Sequence, residues 1–452
     1  MNTPICDFVR AYTAGEPVRM HMPGHKGKTL IGPEAPDLTE IDGADVLYHS
    51  RGIIRESEEN AAALFGAART VYSAEGSSLC IRAMLYLALL TAKEKGTPAR
   101  LLAGRNAHRS LMTAAALLDL EVDWLMPAQG EGLLSCTVTG EALEEKLKNG
   151  GYMAVYLTSP DYLGQQADLR NAAGVCRRYQ VPLLVDNAHG AYLKFLPEDM
   201  HPLTLGADAC CDSAHKTLSC LTGAAYLHLS AHAPAEWADR AEQAMAMFAS
   251  TSPSWLILQS LDRMNAELAG NWPERLKRTV RTVRRIKDAL RADHWTLAGN
   301  EPMKLTLKTA ARGYTGEELG KILRKQGIIS EFAARDHLVL MPSPDTSKKE
   351  WERLEAALGA VPQREPLNCE PPDLPLPERA CSIRAAMLSP QETVPAAEAA
   401  GKVLADACVS CPPAVPAVIA GERITKEAAA CMQYYGVTEC NVVKESVNQS
   451  QS

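Results

Sequence analysis

Two short apolar runs in the middle of the chain each stop at residues able to do chemistry. Residues 181–185 end at Asp186-Asn187-Ala188-His189, and residues 207–211 end at Asp212-Ser213-Ala214-His215-Lys216. A carboxylate, two imidazoles, a hydroxyl and an amine thus stand at the ends of successive segments. Lys216 is suited to an imine with a carbonyl cofactor. Asp186 is suited to holding a proton on a ring nitrogen. Together they fit a pyridoxal phosphate (PLP) site.

The elements that must position these groups follow from pattern. Short runs rich in Val and Leu, bounded by polar turns, suit buried strands of a parallel sheet. Ligands of open α/β sheets sit beyond the carboxyl ends of such strands. Upstream, a strand at 70–73 leads into Gly76-Ser77-Ser78 and a helix to about residue 94. Unpaired N–H groups and the dipole at a helix start favour an anion, so this turn can cradle a phosphate. It also reads as an ordinary pair of helix-capping serines. His108 lies in Arg105-Asn106-Ala107-His108-Arg109-Ser110, between a strand at 100–103 and a helix at 111–120. It reads equally as a cleft residue or a helix cap. Strands at 121–127 and 152–158 and helices at 140–150 and 171–180 continue the alternation. That alternation predicts an α/β fold with a mostly parallel sheet.

The flanks differ. Residues 1–60 read as an irregular arm, wrapping a partner subunit or lying on the surface. Pro23 and Gly24 forbid a helix through His21-Met22-Pro23-Gly24-His25-Lys26-Gly27, so the two histidines share no helical face and no metal site is expected. The large, PLP-binding domain is expected at 61–293, with a helix after Thr251-Ser252-Pro253-Ser254 running with interruptions to about 291. A small α+β domain is expected at 294–362, with strands at 303–309, 328–331 and 337–341 and helices at 315–326 and 348–358. A Pro-rich linker follows at 363–377, then a C-terminal domain at 378–452.

Composition narrows the function. Of 452 residues, 46% are apolar, so a folded chain with a large core is expected. The 47 Lys and Arg against 54 Asp and Glu give −7, which argues against nucleic acid as the partner. No run reaches the roughly 18 apolar residues of a membrane span. No basic start followed by an apolar core is visible, so a cytoplasmic location is expected. The 13 cysteines are odd in number and irregular in spacing, and read as reduced thiols. Cys408 and Cys411 form a CxxC without a second pair nearby, and Pro412-Pro413 follows where a redox pair needs a helix start.

Assembled in order, the motifs resemble the Orn/Lys/Arg decarboxylase family of fold type I PLP enzymes. They are HMPGHKG at 21–27, GIIRESEENAAALFGA at 52–67, GSS at 76–78, RNAHRS at 105–110, TSPDYLG at 158–164, VDNAHGAY at 185–192, DSAHKTLSCLTGAAYLH at 212–228, TSPSWLILQSLD at 251–262 and a tail from Arg384 to Glu422. The chain looks like the short form, without an N-terminal wing domain. The resemblance implies an aspartate aminotransferase-like large domain, with α+β C-terminal domains. It implies that Lys216 carries PLP, Asp186 pairs with the pyridine nitrogen and His108 stacks on the ring. Ser77, Ser78, Ser213 and His215 would surround the phosphate or its edge, and His189 would lie near the ring. It also implies a homodimer or larger homo-oligomer with shared active sites, and a place in polyamine biosynthesis.

Loss of CO2 from an α-amino acid leaves negative charge at Cα, and a protonated pyridine ring can absorb it. Lys216 or His215 would then return a proton to Cα. The leading expectation is decarboxylation of arginine, lysine or ornithine. Transamination, β-elimination and a non-catalytic PLP-binding homologue are the alternatives. The chain departs from the family pattern at Asn187, where many relatives carry Glu. It departs again in the tail at Met387, Leu388, CPPAVP (411–416) and Ala420-Gly421-Glu422. The tail changes bear on substrate choice.

Overall fold

The computed structural model describes residues 1–127, 135–368, 377–409 and 415–444. Its centre is a seven-stranded sheet. The strands are β1 (Arg69–Ser73), β2 (Arg100–Gly104), β3 (Glu121–Leu125), β4 (Ala154–Thr158), β5 (Leu183–Asp186), β6 (Ala209–Asp212) and β7 (Ala225–Leu229). Their order is β1-β7-β6-β5-β4-β2-β3. Strands β2 to β6 pair in parallel, and β7 runs antiparallel to both its neighbours.

Both faces of this sheet are covered, which is why its strands read as continuous apolar runs. Alternate residues serve two cores. Leu101, Tyr156, Leu184 and Cys211 join one, and Leu102, Val155, Val185 and Cys210 join the other. Around them lie α1 (Pro4–Ala14), α2 (Ile53–Phe65), α3 (Ser77–Lys95), α4 (Arg109–Leu118), α5 (Gly140–Lys148) and α6 (Leu169–Arg178). Two single-turn helices, α7 (Pro202–Leu205) and α8 (Ala214–Thr217), flank β6. Three helices follow β7: α9 (Glu236–Ala246), α10 (Trp255–Ala269) and α11 (Trp272–Ala292).

A third core lies beyond. Val283, Ile286 and Leu290 of α11 pack with an antiparallel sheet made from β8 (Thr296–Ala298), β9 (Leu305–Lys308), β10 (Phe332–Ala333) and β11 (His337–Leu340). Two helices complete this unit, α12 (Gly316–Lys325) and α13 (Lys348–Gly359). The C-terminal segment adds α14 (Ile383–Leu388) and two small antiparallel pairs, and sets Leu404, Val418 and Val442 into the core shared by Val155 and Val185.

Two expectations are corrected. The arm is not irregular throughout, because α1 occupies Pro4–Ala14. Proline is tolerated in a first helical turn, and Ile5 and Val9, four apart, put one buried face on the body. The strand expected at 328–331 starts instead at Phe332. Gly327, with φ +71°, closes α12, and the residues after it form the return loop, with Ile329 exposed. Residues 363–368 of the Pro-rich stretch have no regular structure, while 369–376, Cys411 and Ala414 lie outside the described residues. Among the described residues no helix is long and apolar enough to cross a membrane.

Candidate active site

The carboxyl ends of β5 and β6 place Asp186, His189 and Lys216 around one recess. Asp186 is the last residue of β5 and is 3% exposed. Its Oδ1 accepts the Ala188 N–H at 3.1 Å, and its Oδ2 accepts the Tyr156 hydroxyl at 3.1 Å. The Cys211 thiol stands 3.6 Å away. Among the described residues no cation forms an ion pair with it. A buried carboxylate without a cation costs several kcal/mol, so the site is built for a positive group to arrive.

Lys216 rides on α8, which starts directly after β6 and Ser213. Its Nζ lies 3.2 Å from His189 Nε2. Burial, and then the charges of Lys304 and Lys216, push the His189 imidazole well below its ordinary pKa. It is therefore neutral, the form whose Nε2 can accept from Nζ. The Tyr162 ring stands edge-on at 5.3 Å, and His189 Nδ1 is buried without a protein partner.

The opposite wall comes from α3 and α4. His108 caps α4, with Nδ1 2.8 Å from Ser110 Oγ. Its surroundings lower the imidazole pKa, chiefly by desolvation, although the ring is open to the cleft. Ser110 Oγ donates to Ser78 Oγ at 2.7 Å, and Ser213 Oγ donates to Ser77 Oγ at 2.8 Å. Gly76 precedes α3 with φ +73°, a conformation other residues rarely adopt. Thus Gly76, Ser77, Ser78 and Ser213 form one hydroxyl-lined cup at the start of a 19-residue helix.

His215 differs from its neighbours. Its Nδ1 lies 2.9 Å from the Ala224 carbonyl, and it is not among the residues lining the recess. Sequence reasoning missed Tyr156, Tyr162, Thr158 and Asn106. Tyr156 reads as strand core, and only the need of a buried phenol for a partner signals it. The described tail residues do not line the recess, and Leu388 points to solvent. The tail's tie to the site is indirect. Glu422 grips Arg105 in a buried bidentate pair at 2.6 and 2.7 Å, next to Asn106 in the recess wall.

These residues fit PLP. The uncompensated Asp186 suits a protonated pyridine nitrogen, the serine cup suits a phosphate, and the partnerless His189 Nδ1 and Thr158 Oγ1 leave polar groups for a ligand. The sheet order and the site at its strand ends are those of a fold type I PLP-dependent enzyme. The lysine decarboxylase of Francisella novicida has this fold, with a TM-score of 0.80 and 17% identity, covering 98% of this chain and 81% of that one. The constitutive lysine decarboxylase of E. coli gives 0.78 and 19%, covering 98% and 82%.

The sequence then assigns the family. Residues 3–306 match the Orn/Lys/Arg decarboxylase major domain and residues 376–442 the C-terminal domain of the same family. The chain belongs to the Orn/Lys/Arg decarboxylase family. Arginine decarboxylase of Bacillus subtilis (strain 168) is 28% identical over 457 residues, covering 94% of this chain and 92% of that protein. A second protein of that organism, described as uncharacterized protein YaaO, is 30% identical over 461 residues, covering 94% and 93%.

Proposed function

We propose that this chain is a PLP-dependent decarboxylase of a basic L-amino acid, working as a homodimer or larger homo-oligomer. Arginine is the first substrate to test, because several relatives are named arginine decarboxylases. The observation that carries the reading is Asp186, a buried carboxylate without a cation, facing a recess that also holds Lys216, His189 and His108.

Bound there, PLP supplies an electron sink for the negative charge left at Cα when CO2 departs. The protein's own groups do the rest. Asp186 would hold the proton on the ring nitrogen by opposite charge. Tyr156 and the Ala188 N–H aim that carboxylate, so it needs little reorganisation. Lys216 Nζ is the amine that would hold the cofactor, and it could also return a proton to Cα. Neutral His189 keeps that amine in place through Nε2. His215, with Nδ1 held by the Ala224 carbonyl, keeps Nε2 available and is the alternative donor. Ser77, Ser78 and Ser213 would hold the phosphate, and His108 would lie against the ring. Pro160 and Tyr162 complete the wall of the recess.

The test is a product assay with arginine, lysine, ornithine and a panel of other amino acids. The expected result is CO2 with the matching amine from at least one basic substrate. Formation of a 2-oxo acid, or no turnover on any of them, would refute the proposal.

A further inference from the structure

Behind the recess, the same two strand ends carry a second polar cluster. Asp212 ends β6 and is fully buried. Its Oδ1 accepts from Asn187 Nδ2 at 2.7 Å, and its Oδ2 lies 3.0 Å from His201 Nε2 and 3.6 Å from His228 Nε2. Asn187 follows Asp186, and Asp212 precedes Ser213. Asp186 pairs in register with Cys211, so strand alternation turns Asn187 and Asp212 to the face opposite Asp186.

The position of this cluster matters more than its burial. The β5–β6 ladder ends with the Asn187 N–H donating to the Cys211 carbonyl at 3.0 Å. Beyond it the two strands diverge into turns, one bearing His189 and the other Lys216. The Asn187–Asp212 bond ties those turns together where the backbone no longer does. The first turn is shaped around the Asn187 side chain, since a Cβ at Gly190 would stand 2.0 Å from Asn187 Oδ1. Burial alone would raise the Asp212 carboxyl, but His201 and His228 outweigh it and hold it well below the usual carboxylate range. An ionised Asp212 needs a donor opposite it, which an amide provides and a second carboxylate does not.

We propose that Asn187, Asp212 and His201 are positioning residues, a lock on the reverse face of the sheet that fixes the spacing between Asp186 and Lys216. This rests on the PLP reading of the site. The lock would act on the cofactor through two groups at once, the Asp186 carboxylate and the Lys216 amine, which line the same recess. Loosening it therefore weakens PLP binding and shifts the titration of the lysine-bound cofactor, with the sheet intact. Cys210 Sγ lies 3.9 Å from His201 Nε2, and Cys210, His201 and Asp212 have the ligand types of a metal site. Asp212 is bonded from both sides, by Asn187 Nδ2 and His201 Nε2, while Asn187 Oδ1 and His201 Nδ1 are buried without a partner, and metal content is an outcome of the test.

The experiment compares the full-length holoenzyme with Asn187→Asp, Asn187→Ala and the swap Asn187→Asp with Asp212→Asn. The readouts are the PLP dissociation constant, the pH midpoint of the visible absorption band, far-UV circular dichroism and elemental analysis. Either single variant is expected to bind PLP roughly tenfold to a hundredfold more weakly and to move the midpoint, with unchanged circular dichroism. The swap restores the donor–acceptor pair and is expected to recover both readouts. If Asn187→Asp does not fold, Asn187→Ala carries the comparison. Single variants matching wild type, a swap that recovers nothing, or one equivalent of transition metal per chain would overturn the lock. A wild-type protein without a visible band would instead overturn the PLP reading and the lock with it.

Discussion

Asp186 and Asp212 end neighbouring parallel strands, both buried, and are treated in opposite ways. On the front face Asp186 receives a phenol, a backbone N–H and a thiol, and no cation among the described residues. On the reverse face Asp212 receives an amide and His201, with His228 close by. A buried charge is tolerated when it is paired. The reverse-face aspartate is paired by the protein and serves the fold. The front-face aspartate is left without a cation among the described residues, and in the proposed function it is paired by what binds. One strand register sets both, because consecutive side chains point to opposite faces.

The largest effect expected is at the front. Lys216→Ala removes the only amine lining the recess among the described residues and should lower turnover by roughly 10⁴-fold, measured as amine product per enzyme. Turnover near wild type would end the assignment. Asp186→Ala should cost roughly 10²–10³-fold in kcat. Its urea midpoint without cofactor should match or exceed wild type, because an uncompensated buried charge is gone. Asp212→Ala should behave the other way, losing about 3–5 kcal/mol of stability in denaturant titration. If the two aspartates gave the same pattern, the division between the faces would collapse.

Acidification gives a smaller effect. Burial lowers the imidazole pKa of His189 at the front and of His228 at the back. The unfolded chain then takes up protons below about pH 6.5 that the folded chain refuses. Each histidine's contribution is fully present above that pH and is lost as pH falls through it, at up to about 1.4 kcal/mol per pH unit. Glu58, raised to about 7 chiefly by burial, acts in the opposite sense. The reading is therefore a difference: between pH 7.5 and 5.5, His189→Asn and His228→Asn should each lose less stability than wild type. Equal losses would mean that neither imidazole is held neutral. The smallest effect expected is that of Tyr156→Phe, which removes one hydrogen bond to Asp186 and should slow turnover roughly fivefold.

Much of the front face was legible in the sequence. Its groups are chemically distinctive, and they fall where apolar runs stop, so residue type and strand end coincide at Asp186, His189, Ser213 and Lys216. The parallel sheet was legible for the same reason, since strands buried on both faces cannot alternate with polar residues. The reverse face was not. Asn187 meets Asp212 across 25 residues and His201 meets it across 11, and nothing in local pattern says which way a side chain turns. Strand β7 escaped notice because a turn hides its antiparallel direction. Tyr156 was lost among the apolar residues of β4. The grip of Glu422 on Arg105 spans 317 residues and depends on tertiary docking alone.

Borohydride reduction of the PLP-loaded protein, followed by peptide mapping, tests the central assignment most directly. The front-face account predicts one pyridoxyl group per chain, on Lys216. A label on Lys304, the buried lysine beside Tyr162, or no label at all, would contradict it.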